Sequence, residues 1–407
     1  MVNLTPQQLN VMKTFGRAVR GKKFNHRVPI QYQRFQDSID PDEIVRYHSR
    51  DDYHKLDRRI GERTYKDATQ SLGRKNVLLP NLKPQDLEAN HLFQQELDRQ
   101  RGNIARVNKI RVLIDSIPGK GTELSMNQNI STPFECALHI HDLLTTRSVV
   151  AELVPLDTNS AVAINSSENG LVGQQSDQNN TANQQYAYWD MHRPIEDSCR
   201  LRFRHFTDNH LTEINKIYWR SCSFVLGMAI RMAFKDDVKV LLHSWPKPNP
   251  KSGSFVYDVA LSLSEKWQPD EKELRAFTKV MWAIKNASLP FERLQVTKDL
   301  ARDFFAGNPL KLSQIDSIVS NSSLGKVTVY RCGGLLDMSI GPMISNTSQI
   351  GRITLAAVHP FDTNSKEYDG IFYRFQGVSL PQQLPVSSYV YQNILINQAK
   401  KLNRDAL

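Results

Sequence analysis

Metal binding and nucleophilic catalysis draw on histidine, cysteine and carboxylate side chains, and this chain of 407 residues has 11 histidines and 4 cysteines. Their spacing works against both chemistries. Cys136, Cys199, Cys222 and Cys332 lie far apart and form no C-x-x-C pair, so neither a disulfide framework nor a cysteine-rich zinc module is indicated. They read as small buried hydrophobes in a reducing compartment. His139 and His141 flank Ile140 in a helical stretch, where residues two apart point to different sides and cannot share a ligand. His205 and His210 stand at a strand exit, a surface or core-edge setting. Gly119-Lys120-Gly121 lacks the spacing of a phosphate-binding P-loop. Asp337, just before Gly341-Pro342, is expected to form a turn rather than act catalytically. Trp219 and Trp245 are expected to pack, although Trp245 in the run WPKPNP could stack on RNA.

Basic residues are the abundant chemical group. Up to Arg111 the chain holds 22 Lys+Arg against 13 Asp+Glu, and beyond it 30 against 29, so nearly all of the net charge of +10 lies in the first quarter. A basic arm on near-neutral domains suits a polyanion, RNA above all; a solvated tail is the alternative. The RNA-binding candidates are Lys13, Arg17, Arg20, Lys22, Lys23, Arg27, Arg58, Arg59, Arg74, Lys75, Arg99, Arg101 and Arg106. Residues 1–36 contain no acidic residue, while Leu9, Met12, Phe15 and Val19 recur at helical steps. An apolar face beside a basic one fits a mitochondrial presequence, although serine is scarce, and it also fits an RNA-binding arm that is never cleaved. No run approaches the 18 or so apolar residues that a membrane helix needs.

The elements that must carry these residues fall into blocks. Residues 37–106 form a basic, partly helical extension, in which 91–106 reads as a polar helix lying on a surface or a partner. Residues 107–208 hold strands at Lys109–Ile114 and Thr122–Met126, then a helix capped by Ser131 or Thr132 with Pro133 early. Its apolar face is Phe134, Ala137, Ile140 and Leu144, and strands at Val149–Val154 and Arg200–Phe206 follow. That order suggests a ubiquitin-like β-grasp. Residues 157–185, rich in Asn, Gln, Ser and Thr, read as a disordered insertion. In 209–381 a long helix is marked by Leu211, Ile214, Tyr218, Cys222, Val225, Ala229 and Met232. Strands at Val238–Leu242 and Phe255–Leu263 and a helix over Asp270–Ala287 follow, then short strands at Val327–Tyr330 and Ile353–Val358 among loops. Residues 382–407 form a helical tail ending in Lys400, Lys401 and Arg404. The whole is an α+β layout.

Several blocks resemble threonyl-tRNA synthetase in the same order. Tyr218-Trp219-Arg220-Ser221-Cys222-Ser223-Phe224-Val225-Leu226-Gly227 is similar to its His-Ser-x-x-His-Leu-Leu-Gly helix. Ser254 to Val259, Pro290 to Leu294, Val329 to Gly333 and Leu336 to Met343 resemble later blocks of its editing domain. Pro133 to Arg147 and Asp190 to Ser198 resemble the TGS domain that precedes it. The resemblance implies a TGS domain followed by an editing-like domain over about 270 residues. It also marks where that family's chemistry resides, in two histidines four apart on one helix face, a cysteine and a third histidine. At those positions this chain has Arg220, Phe224, Ser339 and Met343. Arginine has no lone pair to offer, phenylalanine has no polar atom, and serine and a lone thioether are weak metal ligands. None is a general base near neutral pH.

No catalytic residue, metal or other cofactor is therefore expected. The combination of basic arm, TGS-like block and altered editing block resembles a mitochondrial large-subunit ribosomal protein. That resemblance implies a matrix location, with mitochondrial rRNA and other large-subunit proteins as partners and neither a membrane nor a small-molecule substrate. The alternative is a freestanding tRNA-binding or trans-editing protein.

Overall fold

Alternating apolar residues at Ile110, Val112 and Ile114 give one strand a buried face, and the next strand in the chain pairs with it antiparallel. In the computed structural model the described residues are 83–104, 106–115, 121–156, 172–175, 184–208, 211–234, 238–246, 254–263, 266–361 and 371–404. They build a mixed fold of helices on three sheets. The extension as far as residue 82, with the presequence reading, lies outside them.

The first sheet comprises β1 (Lys109–Ile114), β2 (Thr122–Asn127), β3 (Val150–Pro155), β4 (Val172–Gln175), β5 (Gln184–Trp189) and β6 (Cys199–Arg204), in the order β2-β1-β6-β3-β5-β4. Only β1 and β6 run parallel. One face packs on helix α2 (Pro133–Ile140) through Cys136 and Ala137. Thr132 and Glu135 cap that helix reciprocally, satisfying backbone donors that a helix start leaves unpaired. The expected single helix is in fact two, because His141 is extended and restarts the chain as α3 (Asp142–Arg147), its Nδ1 accepting from the Leu143 N–H at 3.0 Å. Part of the expected disordered insertion is also corrected. Val172–Gln175 pairs with β5, a backbone interaction that asks little of side-chain hydrophobicity at a sheet edge.

The long helix α4 (Leu211–Ala233) follows, buried on most sides from Ile214 to Ile230. It packs on a four-stranded sheet of β7 (Val240–Ser244), β8 (Phe255–Leu261), β12 (Ile350–Phe361) and β13 (Phe372–Pro381), ordered β12-β13-β8-β7. Gly227 permits the approach, since a Cβ there would stand 2.6 Å from the Tyr257 ring. Helix α5 (Glu271–Asn286), capped reciprocally by Asp270 and Glu273, closes this layer with Phe277, Met281 and Ile284. The third sheet is β11 (Leu335–Met338), β10 (Val327–Cys332) and β9 (Glu292–Val296) in that order. One face supplies Tyr330, Cys332 and Leu335 to the α4 core. The other is covered by α1 (Pro84–Gly102), α6 (Lys298–Phe304) and α7 (Pro309–Asn321).

Three further expectations change. The polar helix begins at Pro84 and does not simply lie on the surface, because Ala89, Leu92, Phe93 and Leu97 pack into the chain's own core. The region expected to be strands and loops contains α6 and α7, begun by the side-chain caps Thr297 and Asn308. The tail has a π-helical turn at Val390–Leu395 before α8 (Ile396–Arg404).

Candidate functional site

The i, i+4 spacing of Arg220 and Phe224 sets them one turn apart on α4, opposite the loop that leaves β11. That loop turns through Ser339 and a cis Gly341–Pro342 bond to Met343. Gly341 has φ +70°, and a Cβ on it would overlap the Tyr330 hydroxyl, so both conformation and space require glycine. Arg220 is 6% exposed, and its Nη1 donates to the carbonyls of Gly341 and of Pro342, the latter at 2.9 Å. Burial lowers its pKa, opposed by Tyr330, Asp190 and Glu213, but a guanidinium stays charged in proteins. Arg220 thus acts as a clamp on two backbone carbonyls. Asp190, at the end of β5, secures the same loop: it accepts from Tyr330 Oη at 2.8 Å and from the Met343 N–H at 2.7 Å.

The other three positions are equally occupied. Phe224 meets Phe291 edge-to-face at 5.5 Å and Trp245 at 6.4 Å. Met343 is fully buried, its sulfur 3.5 Å from Ser221 Oγ, which accepts from the Ile344 N–H at 2.9 Å. Ser339 is partly exposed, and its Oγ accepts from the Gly341 N–H at 3.3 Å. The fold thus brings all four substituted positions to one locality and fills it with packing and satisfied hydrogen bonds. Among the described residues no group of three or more His, Cys, Asp or Glu side chains could hold a metal ion.

A second polar cluster lies on the far side of Tyr257. Lys311 from α7 pairs with Asp337 of β11, and the Tyr257 hydroxyl of β8 donates to the same carboxylate. Lys311 Nζ also lies 3.3 Å from Tyr257 Oη and 5.8 Å from the centre of the Trp245 ring. Burial first, then the Asp337 charge, raises the Tyr257 pKa well above the ordinary phenol range, so it remains a donor. The expectation that Asp337 forms a turn is corrected: it sits within a strand and neutralises a buried lysine. Sequence reasoning missed Lys311, Tyr257 and Asp190. The available signal was Lys311 one turn before Ile315 on the buried side of α7.

The remaining candidates behave structurally. His139 and His141 are exposed, and His205 Nδ1 lies 3.0 Å from the Arg147 carbonyl; His210 is outside the described residues. All four cysteines are buried and free; burial pushes Cys136, Cys199 and Cys222 up to about 12 and Cys332 in the same direction, away from thiolate chemistry. Trp219 is buried, and Trp245 packs 5.2 Å from the Tyr257 ring, so both pack as expected. Of the RNA-binding candidates, Lys13, Arg17, Arg20, Lys22, Lys23, Arg27, Arg58, Arg59, Arg74 and Lys75 lie outside the described residues. Arg101 and Arg106 are exposed, and Arg99 is exposed and paired with Glu96 at 2.6 Å.

No family model matches the chain. It is 37% identical to the large ribosomal subunit protein mL39 of Drosophila melanogaster over 312 residues, which is 77% of this chain and 83% of that protein. It is 29% identical to the mitochondrial threonine–tRNA ligase 1 of Arabidopsis thaliana over 54% of this chain and 28% of the ligase. For the human cytoplasmic threonine–tRNA ligase 2 the figures are 30%, 47% and 22%. The chain therefore spans about a quarter of those ligases and most of the ribosomal protein.

Proposed function

The chain belongs to the family of the large ribosomal subunit protein mL39, and on that footing we propose that it is a structural constituent of the mitochondrial large ribosomal subunit. It binds rRNA and neighbouring ribosomal proteins; it is not an enzyme. The observation that carries this reading is the filled cleft: Arg220, Phe224, Ser339 and Met343 are joined to their surroundings by packing and hydrogen bonds, none of the four is a base or a good metal ligand, and the nearby Asp190 has both oxygens engaged. In this reading residues 107–208 are a TGS-like β-grasp, which the mixed six-stranded sheet with α2 across one face supports. Residues 209–381 are an editing-like domain retained for its shape, and the similarity to threonine–tRNA ligases supports that assignment.

The basic arm, with the arginines and lysines from Lys13 to Arg106, contributes phosphate contacts that fix position without reading sequence. Its first 36 residues serve either as a mitochondrial presequence or as a further part of that arm. The test is sedimentation of a mitochondrial lysate. The chain is expected to travel with the large subunit through washes at moderate salt. Recovery at the top of the gradient, with free tRNA, favours an off-ribosome tRNA-binding protein instead.

A further inference from the structure

One face of the third sheet carries polar groups that the clamp around Arg220 does not use. Arg293 and Gln295 are alternate residues of β9 and so point to the same side, opposite Tyr330 and Thr328 of β10 in register. Arg293 Nε and Gln295 Nε2 are both shielded from solvent, and neither has a hydrogen-bond partner within the protein. The Arg293 guanidinium makes a long hydrogen bond, Nη2 to Thr328 Oγ1 at 3.5 Å. Buried donors without acceptors are uncommon and costly in a folded protein.

The neighbourhood holds both signs of charge, and its acidic groups are already engaged elsewhere. Arg193, with its guanidinium carbon 3.4 Å from the centre of the Trp189 ring, lies close enough for the Arg293 charge to oppose its own. Burial first, then that repulsion, brings the Arg193 pKa down to about 10. Glu196 takes one bond from Arg193 at 2.8 Å, and both oxygens of Asp190 are engaged by Tyr330 and Met343. Two guanidiniums held near one another, with two unsatisfied N–H groups on one strand face, present more donors than the local acceptors engage. Arg293 and Gln295 are partly exposed, as is Ser339, whose N–H bonds to the Thr328 carbonyl. An anion can therefore reach the outer edge of the guanidinium, and rotation about its side-chain torsions turns the shielded Nε–H onto it.

We propose that the sheet face bearing Arg293, Gln295 and Thr328, flanked by Arg193, is an anion subsite that takes a phosphate group of RNA. The assignment to RNA rests on the ribosomal reading above; affinity for a simple oxyanion does not. The experiment titrates the full-length chain calorimetrically with sodium phosphate, against sodium chloride at matched ionic strength. Saturable phosphate binding is expected, weakened roughly tenfold by Arg293→Gln and unaffected by Arg275→Gln, which removes an exposed arginine of α5. Gln295→Met supplies the fold control, because removing an unpaired amide leaves thermal stability equal or higher while phosphate affinity falls several-fold. A second arm measures binding of a short mixed-sequence RNA, which inorganic phosphate should displace from the wild type more effectively than from Arg293→Gln. Phosphate binding that is absent, or equal in wild type and Arg293→Gln, overturns the subsite. Phosphate binding with RNA affinity indifferent to Arg293 overturns the RNA assignment. Co-sedimentation of Arg293→Gln with the large subunit reports on the ribosomal reading separately.

Discussion

Arg220 donates to two backbone carbonyls at a position where the related ligases' chemistry implies a histidine lone pair, and the consequences for stability and activity separate cleanly. Arg220→Met leaves the Gly341 and Pro342 carbonyls without that donor, and urea denaturation should register a loss of about 2–4 kcal/mol. Arg220→Lys should recover part of it. The Lys311–Asp337 pair is buried on both sides, so Lys311→Met or Asp337→Leu alone is expected to cost about 3–5 kcal/mol. The double variant should lose clearly less than the sum; strict additivity in the cycle would contradict the pairing. Protonation gives a third expectation. Cys136, Cys199 and Cys222 have folded pKa values raised from 9.0 to about 12, so the neutral thiol is the folded form. Their contribution is fully present below pH 9, and it is lost as pH rises towards about 12, where unfolded thiols ionise first. Buried Tyr218, Tyr257 and Tyr330 act in the same direction. Unfolding free energy measured across that window should fall steadily. The substitutions at the four ligand positions were legible in the sequence because a residue type alone excludes chemistry. The Lys311–Asp337–Tyr257 cluster was not, because its members lie on three elements that only tertiary packing brings together.

At the scale of elements, α1 shows how a polar helix is held. Its Phe93 is fully buried, and above it lies Arg331, 1% exposed, with its guanidinium carbon 4.4 Å from the ring centre. Arg331 also bonds Glu292 at 2.7 Å and Gln94 at 2.9 Å, while Asp86 pairs with Arg231 at 3.0 Å. Phe93→Ala should therefore cost about 3–4 kcal/mol and raise amide exchange in α1 before exchange elsewhere. Uniform exchange across the molecule would instead place α1 within one global unit. Elements with a strong local signal were legible: α4 from its three- and four-residue apolar steps, and α5 from the stripe Leu274, Phe277, Met281 and Ile284 behind Asp270. The break at His141 was not, since the apolar spacing from Phe134 to Leu144 continues across it while the backbone does not. For α6 and α7 the caps Thr297 and Asn308 were present in the sequence, but short apolar runs between them fit strand or helix equally.

Among the described residues the first sheet keeps its own core against α2 and also contributes to the core around α4. Val150, Tyr188 and Phe206 join α4 in one apolar cluster, and Gln349 Nε2 donates to the Ser148 carbonyl at 2.7 Å. Contacts of this kind between the two cores oppose hinge motion, which is compatible with the structural role proposed above. The sequence could not reveal this, because apolar periodicity identifies a buried face without naming the element that covers it. On the reading proposed above, Arg220, Phe224, Ser339 and Met343 hold no metal and activate no water. The most direct measurement is hydrolysis of serine-charged threonine tRNA by the purified chain, with and without added zinc. The filled cleft predicts a rate equal to that of buffer in both conditions, with no zinc retained after dialysis. Retention of one zinc together with accelerated ester cleavage would contradict it.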